Sequence, residues 1–366
     1  MTHPSPTEPA PGSDVADLDT PQLLVDLDVV DGNVRRMFAA ARGRGVRVRV
    51  HFKSLKCTGL ARHVAAAGPD GFAAAKLNEA EALADAGVTD ILLANQVVGL
   101  HKLRRAARLA RRADLIVCVD DADNARALSA AAVAEGTQIR ALVEVDIGMA
   151  RCGVPPGAAA VELAQTVAAL PGLRFYGLQG YDGHLQMLPD YESRQAQSLA
   201  GAEALADTRR QVERAGLPVA LVTGGGTGTW EFAAAVPGVT EVQPGSFVIM
   251  DAAYHKVRPE FGCALSVRAA VVSRRPGQYV LDAGSKAISR DFGTPEIKGR
   301  PGDRVLRLNE EHTIVAADGA VPAVGEAAEV LPAHCCATMN LHRACAAVRG
   351  GRVEAVWPIE CSGRYD

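Results

Sequence analysis

A chain of 366 residues, 48% of them hydrophobic, can bury a sizeable core, enough for one large domain and a smaller one. Its formal charge of −3 offers no basic footprint for nucleic acid or an acidic membrane. No apolar run approaches the roughly 20 residues that span a bilayer, so membrane and nucleic-acid roles are both disfavoured.

Residues 1–20 are Pro-rich and acidic and lack an apolar centre, which predicts a disordered tail and no signal peptide. The eight cysteines lie mostly in apolar segments without regular small-domain spacing, so a reduced, cytoplasmic chain is expected. The stretch QLLVDLDVV (22–30) then precedes a repeating rhythm and is able to lend it a strand. Short apolar runs follow at 46–52, 71–75, 91–95, 115–119, 140–146, 174–180, 219–225 and 240–246. Amphipathic stretches such as 78–87 and 101–113 separate them; in the first, Ala80, Leu83, Ala84 and Gly87 share one helical face. Eight strand–helix units in this span predict an α/β fold, a TIM-like (β/α)8 barrel over residues 21–255. A doubly wound sheet would need fewer strands and a glycine fingerprint after the first of them. After about residue 255, strand-like pieces at 266–275, 277–284 and 352–360 alternate with Gly/Pro turns. Residues 256–366 are therefore expected to form a C-terminal β-rich domain.

Active sites of such barrels lie at the C-terminal strand ends. The seventh run ends in Thr223-Gly224-Gly225-Gly226-Thr227-Gly228-Thr229, whose backbone N–H groups and hydroxyls suit an anion such as phosphate. A ligand-free glycine turn is the plainer alternative. The chain has only seven lysines, and Lys53 and Lys76 alone sit immediately past a strand end. A phosphate turn and a lysine at one barrel mouth point to pyridoxal 5′-phosphate, whose aldehyde forms an imine with lysine. Position by itself leaves the two lysines tied.

Near the C-terminus, His334 and Cys336 share one face if the segment is extended, with Cys335 turned away. Imidazole and thiolate together suit Zn²⁺ better than Mg²⁺ or Ca²⁺, with Mn²⁺ or Mg²⁺ as lesser candidates. A buried histidine beside two apolar cysteines fits the same residues equally well.

Several segments recur together: HFKSLK, KLNEAEALADAGVTDILLANQVVG, DIGMARCGV, GLQGYDGHLQ, VTGGGTGT, QPGSFVIMDAAY and PAHCCATMNL. Over residues 20 to about 360 the chain resembles the D-threonine aldolase and D-serine dehydratase family, whose barrel is alanine-racemase-like. The resemblance implies Lys53 as the imine residue and Arg151 near the cofactor's phenolic oxygen. It implies Tyr181 against or near the ring and His184 as a base beside it. Gly225, Gly226 and Thr227 would hold phosphate, with Tyr254 as an additional donor. A divalent metal on His334 and Cys336 is implied as well, and a homodimer. Ser54 and Leu55 depart from the family's usual Thr and His, and Asp182 stands where a second His is frequent; both departures bear on the substrate pocket.

The activity implied is a metal-assisted lyase on small D-β-hydroxy amino acids. Within the family a His-x-Cys pair tends to accompany dehydratases and a His-x-Asp pair aldolases. Elimination from D-serine or D-threo-3-hydroxyaspartate to a 2-keto acid and ammonia is therefore expected first. Retro-aldol cleavage to glycine and an aldehyde comes second. An amino-acid racemase is the more distant alternative, and a non-enzymatic pyridoxal-phosphate carrier the last. Arg290, Asp291, Tyr254 and Asn340 are further candidates for the pocket.

Overall fold

The structure is a computed structural model and describes residues 9–366. Among these residues the chain forms two compact units. The first comprises the described residues up to Arg35, together with Ser54–His63 and Ser246–Gly363. The second comprises Arg36–Lys53, Val64–Gly245 and Arg364–Asp366.

In chain order the strand β1 (Gln22–Asp26) is followed by the helix α1 (Leu27–Gly43). The expected barrel comes next, as β2 (Arg47–His51), α2 (Thr58–Ala65), β3 (Gly71–Ala74), α3 (Leu77–Asp85), β4 (Asp90–Leu93) and α4 (Leu100–Leu109). It continues through β5 (Asp114–Val119), α5 (Ala122–Ala134), β6 (Ile139–Glu144), α6 (Ala158–Ala168), β7 (Leu173–Gly180), α7 (Tyr191–Arg214), β8 (Leu221–Gly224), α8 (Trp230–Ala233) and β9 (Glu241–Val242). The strands β2 to β9 close into one parallel barrel. Parallel strands are covered on both faces, which is why they read as short unbroken apolar runs. Ala73, Leu92, Ile116, Cys118, Leu142 and Leu221 form one packed cluster of its core. Asp121 caps α5 through the Asn124 N–H, and Asp190 caps α7 through that of Ser193.

The other unit holds α9 (Ala252–Val257), β10 (Leu265–Arg275), β11 (Gln278–Leu281), β12 (Glu296–Ile297), β13 (Arg304–Leu308) and β14 (Thr313–Ala316). It also holds β15 (Ala327–Leu331), α10 (Cys335–Met339), β16 (Ala344–Arg349) and β17 (Arg352–Pro358). Its sheet runs β13-β14-β11-β10-β1-β16-β17, with β15 also on β10 and β12 on β15.

Two sequence expectations change here. The strand β1 does not join the barrel: it pairs antiparallel with β10 and parallel with β16. Residues 22–35, 54–63 and 246–255 accordingly cluster with the sheet unit, so a single cut at residue 255 does not divide the chain. Of the expected disordered tail, residues 1–8 lie outside the described residues. The remainder is ordered: Gly12 N–H donates to the Val353 carbonyl, Val353 N–H to that of Ser13, and Leu18 is buried against Leu24 and Ala346. Pairing with β17 satisfies backbone groups that composition alone leaves to water.

No helix among the described residues is long and apolar enough to cross a membrane. All eight cysteines carry free thiols.

Candidate active site

Within the barrel unit a cavity of about 210 Å³ opens at the C-terminal strand ends. Its lining comes from His51 at the end of β2 and Lys53 just past it, Ala75 after β3, and Ala94 and Asn95 after β4. Arg151 and Cys152 follow β6, Gln179 and Tyr181 flank the end of β7, and Gln243 follows β9. The Lys53 ammonium stands 5.4 Å from the centre of the Tyr181 ring, and the Arg151 guanidinium 5.5 Å from the same ring. Two cations thus lie close to one aromatic ring, an arrangement that favours an anionic or electron-rich guest beside them. Lys76 is not among the lining residues of this cavity; it borders a separate, smaller one.

The loop that carries Arg151 is shaped by Asp146. Its Oδ1 accepts the N–H groups of Gly148 and Ala150, both at 3.0 Å, and Asp120 accepts the Gly153 N–H at 2.9 Å. An aspartate bonded to backbone two and four residues on makes a tight local turn, so DIGMARCGV presents its arginine by local chemistry.

His51 is buried, and its Nδ1 has no hydrogen-bond partner among the described residues. Burial, then the nearby Lys53 and Arg151 charges, push its pKa well below 6.5, and the ring is neutral at pH 7. Beneath the cavity, Gln243 Nε2 donates to Gln179 Oε1 and to Thr223 Oγ1, both at 2.9 Å. Glu144 accepts from Gln96 at 2.6 Å, and burial raises its carboxyl pKa. His51, Gln179, Gln243 and Asn95 were not singled out from the sequence. The usable signal was position, since each lies at or just past a barrel strand.

The glycine turn after β8 is held from behind. Gly226 N–H donates to Thr229 Oγ1 at 3.1 Å, and Gly228 N–H to Gln186 Oε1 at 2.8 Å. A Cβ on Gly226 would come within 2.5 Å of Gln186 Oε1, and one on Gly228 within 2.1 Å of the Gln186 carbonyl oxygen. Close approach of Gln186 therefore requires both glycines, whatever the turn binds. Asp182 is buried in this network, where burial raises its pKa against its hydrogen bonds to Ser198 and Thr229. The expected influence of Asp182 on a substrate pocket thus gives way to contact with the glycine turn. His184 is exposed on the short 3-10 turn Gly183–Leu185, and it is not among the cavity-lining residues.

The sheet unit carries the remaining candidates. Tyr254 is buried on α9. His334 is the extended residue before α10, and Cys335 begins the helix. The assumed extended segment ends there, and Cys335 does not face away: its Sγ lies 4.0 Å from that of Cys336. Asp251 accepts the Tyr254 N–H at 2.7 Å and the Cys335 N–H at 2.8 Å, fixing the start of α10 against α9. His334 Nδ1 pairs with Asp291 Oδ2 at 2.7 Å, and Phe292 stacks on the imidazole at 3.9 Å. Burial alone would lower the His334 pKa; the Cys336 sulfur and the Asp291 carboxylate instead raise it to about 9. Cys336 Sγ lies 3.1 Å from Ser54 Oγ. With Nδ1 on Asp291, Nε2 and the Cys336 sulfur that the imidazole hydrogen-bonds make an imidazole–thiol donor set that fits Zn²⁺. Among the described residues no cluster of three or more His, Cys, Asp or Glu side chains surrounds a metal position.

The family model for the alanine racemase N-terminal domain matches residues 25–253, and a serine dehydratase domain model matches residues 264–348. A D-threonine aldolase from Arthrobacter sp. is 39% identical over 365 residues, covering 98% of this chain and 96% of that protein. The crystal structure of D-threonine aldolase from Filomicrobium marinum is similar with a TM-score of 0.94 and 41% identity, covering 97% of this chain and 99% of that one. D-threo-3-hydroxyaspartate dehydratase from Delftia sp. HT23 is similar with a TM-score of 0.83 and 32% identity, covering 94% and 98%. A D-threo-3-hydroxyaspartate dehydratase with a cysteine-to-alanine mutation, in the metal-free form, is similar with a TM-score of 0.83 and 31% identity, covering 94% and 98%. With the lysine, arginine and glycine turn at one barrel mouth, the chain belongs to the D-threonine aldolase and D-serine dehydratase family of alanine-racemase-like pyridoxal-phosphate lyases.

Proposed function

We propose that this chain cleaves the Cα–Cβ bond of a small D-3-hydroxy amino acid, releasing glycine and an aldehyde. Similarity along nearly the whole chain to D-threonine aldolases is the observation that carries this reading. Lys53 would hold pyridoxal phosphate as an imine, Tyr181 would lie beside its ring, and Arg151 would face its phenolic oxygen. The turn at Gly225, Gly226 and Thr227 would take the phosphate, with Tyr254 as a further donor. The orphaned Nδ1 of buried His51, at the edge of the same cavity, fits a bound polar guest. When bound, the cofactor supplies an electron sink for charge developing at Cα. A divalent ion on His334 Nε2 and Cys336 Sγ would supply Lewis acidity toward the substrate hydroxyl.

The chain's own groups would then move protons. His184 is the candidate acceptor of the hydroxyl proton. Its exposed position leaves the ring able to exchange that proton with solvent. Lys53, its amine freed and protonated when the substrate amine takes its place, would return that proton to Cα once the bond has broken, which completes glycine. Arg151 would offer its five N–H donors and its charge beside the site. His51, held neutral by burial, accepts or donates a hydrogen bond without adding charge.

A second reading, β-elimination to a 2-keto acid and ammonia, is favoured by the His334–Cys336 pair itself. In that case Lys53 removes the Cα proton and hydroxide leaves. Purified enzyme with Zn²⁺ or Mn²⁺ and D-threonine, D-serine or D-threo-3-hydroxyaspartate separates the two. Glycine with aldehyde supports cleavage, whereas keto acid without glycine overturns it in favour of elimination. Chelator-insensitive exchange of D- and L-alanine would defeat both.

A further inference from the structure

We infer that Asp182 is a positioning residue for the cofactor's phosphate, acting through Thr229 and Gln186 on the glycine turn after β8. The inference rests on the pyridoxal-phosphate reading above. Asp182 lies two residues past β7, and only 3% of it is exposed. Its Oδ1 accepts from Thr229 Oγ1 at 2.9 Å and from Gln186 Nε2 at 3.0 Å, while Oδ2 accepts from Ser198 Oγ at 2.7 Å.

These bonds have a single direction. Thr229 Oγ1 receives two groups that can only donate, the Gln186 amide nitrogen and the Gly226 N–H, so its own proton must point at Asp182. The Thr229 oxygen then offers its lone pairs outward, one to Gln186 Nε2 at 2.7 Å and one to Gly226 N–H at 3.1 Å. The Gln186 amide is oriented in the same way. With its NH₂ on Asp182 and Thr229, its carbonyl must face Gly228, whose N–H it accepts at 2.8 Å. One carboxylate thus sets both the hydroxyl rotor and the amide flip, and through them two N–H groups of the turn.

An asparagine at 182 would carry both a donor and an acceptor, and the ordering would be lost at one of the two partners. The turn is then free to rotate its peptide planes, and because the Gly226 and Gly228 N–H groups are already engaged, what weakens is the placement toward an anion of the neighbouring Gly225 and Thr227 N–H groups. The aldehyde end of the cofactor does not depend on this turn.

Comparing the phosphorylated and unphosphorylated cofactor tests the idea. Apoprotein is titrated with pyridoxal 5′-phosphate and, separately, with pyridoxal, and imine absorbance is followed. Asp182→Asn is expected to weaken the phosphorylated compound about tenfold or more and pyridoxal less than about twofold. Thr229→Val should behave alike and carries the test if Asp182→Asn does not fold; Thr229→Ser should restore binding. Equal weakening of both compounds, or of neither, overturns the role given to Asp182. Wild-type apoprotein that takes up neither aldehyde overturns the cofactor reading, and the inference with it.

Discussion

Arg49 on β2 and Glu241 on β9 form a two-point ion pair inside the barrel, at 2.8 and 3.1 Å, with side chains 1% and 0% exposed. These are the first and last barrel strands, joined by only two register pairs, Arg47 with Glu241 and Val48 with Val242. The ion pair therefore spans the seam where the barrel closes. It also reaches the cavity floor, because Thr223 Oγ1 donates to Glu241 at 3.0 Å and accepts from Gln243.

Removing Glu241 leaves the buried Arg49 charge with only the partly exposed Asp90 carboxylate, at 3.1 Å, as its ion-pair partner among the described residues. Glu241→Ala is expected to cost about 3–5 kcal/mol, read from urea unfolding of the apoprotein. A double replacement of Arg49 and Glu241 by apolar residues of similar volume should lie closer to wild type. A single-variant loss below about 1 kcal/mol, the scale of an exposed pair, would contradict the seam role.

Lys53 lines the cavity at the barrel mouth, and Lys76 does not. Borohydride reduction of the holoenzyme, followed by peptide mapping, is expected to place the cofactor on Lys53. Lys53→Ala should lose imine absorbance and turnover by several orders of magnitude, while Lys76→Ala keeps its absorbance. Label on the Lys76 peptide would reverse the assignment.

His51 makes stability depend on pH with a definite sign. In the folded chain its proton affinity lies well below the ordinary 6.5, chiefly through burial. As pH falls through 6.5 the unfolded chain gains a proton that the folded chain refuses. The associated stability is present above pH 6.5 and is lost below it, at ~1.4 kcal/mol per pH unit. Urea unfolding of apoprotein between about pH 7.5 and 5.5 should be steeper for wild type than for His51→Gln. Parallel profiles would mean that the imidazole protonates freely in the fold.

The metal pair carries its own expectation. Cys336→Ser should lower bound Zn²⁺ after dialysis by about tenfold or more, and Asp291→Asn, which frees His334 Nδ1, should weaken binding about 10–100-fold. Metal content is measured directly, apart from turnover. Full metal in Cys336→Ser would remove the thiolate from the site.

Much of the barrel was legible because its strands are covered on both faces, so each appears as a short apolar run between helical periods. Phe72, Ala73 and Ala74 in β3, or Ile91 to Leu93 in β4, need no distant partner to be recognised. The sheet unit was legible only as strands without an order. Its β15 lies between β10 and β12, and β1 between β10 and β16, across separations that no local period records. In the site, strand ends mark Lys53, Arg151, Tyr181, Gln179 and Gln243 alike, but no local pattern records that the two glutamines pair. Their value lies in meeting each other across the barrel floor.

The amino-acid sequence by itself determined the eight-strand rhythm, the places where chemistry-bearing side chains leave the strands, and the family. These are local properties, written in side-chain period, turn residues and motif spacing. Only the tertiary structure decided that β1 belongs to the sheet unit, that Asp182 turns inward beneath the glycine turn, and that Cys335 starts a helix beside Cys336. Each of those outcomes depends on a partner far along the chain or on a side-chain direction past a strand end, where the backbone has no repeating geometry to dictate it.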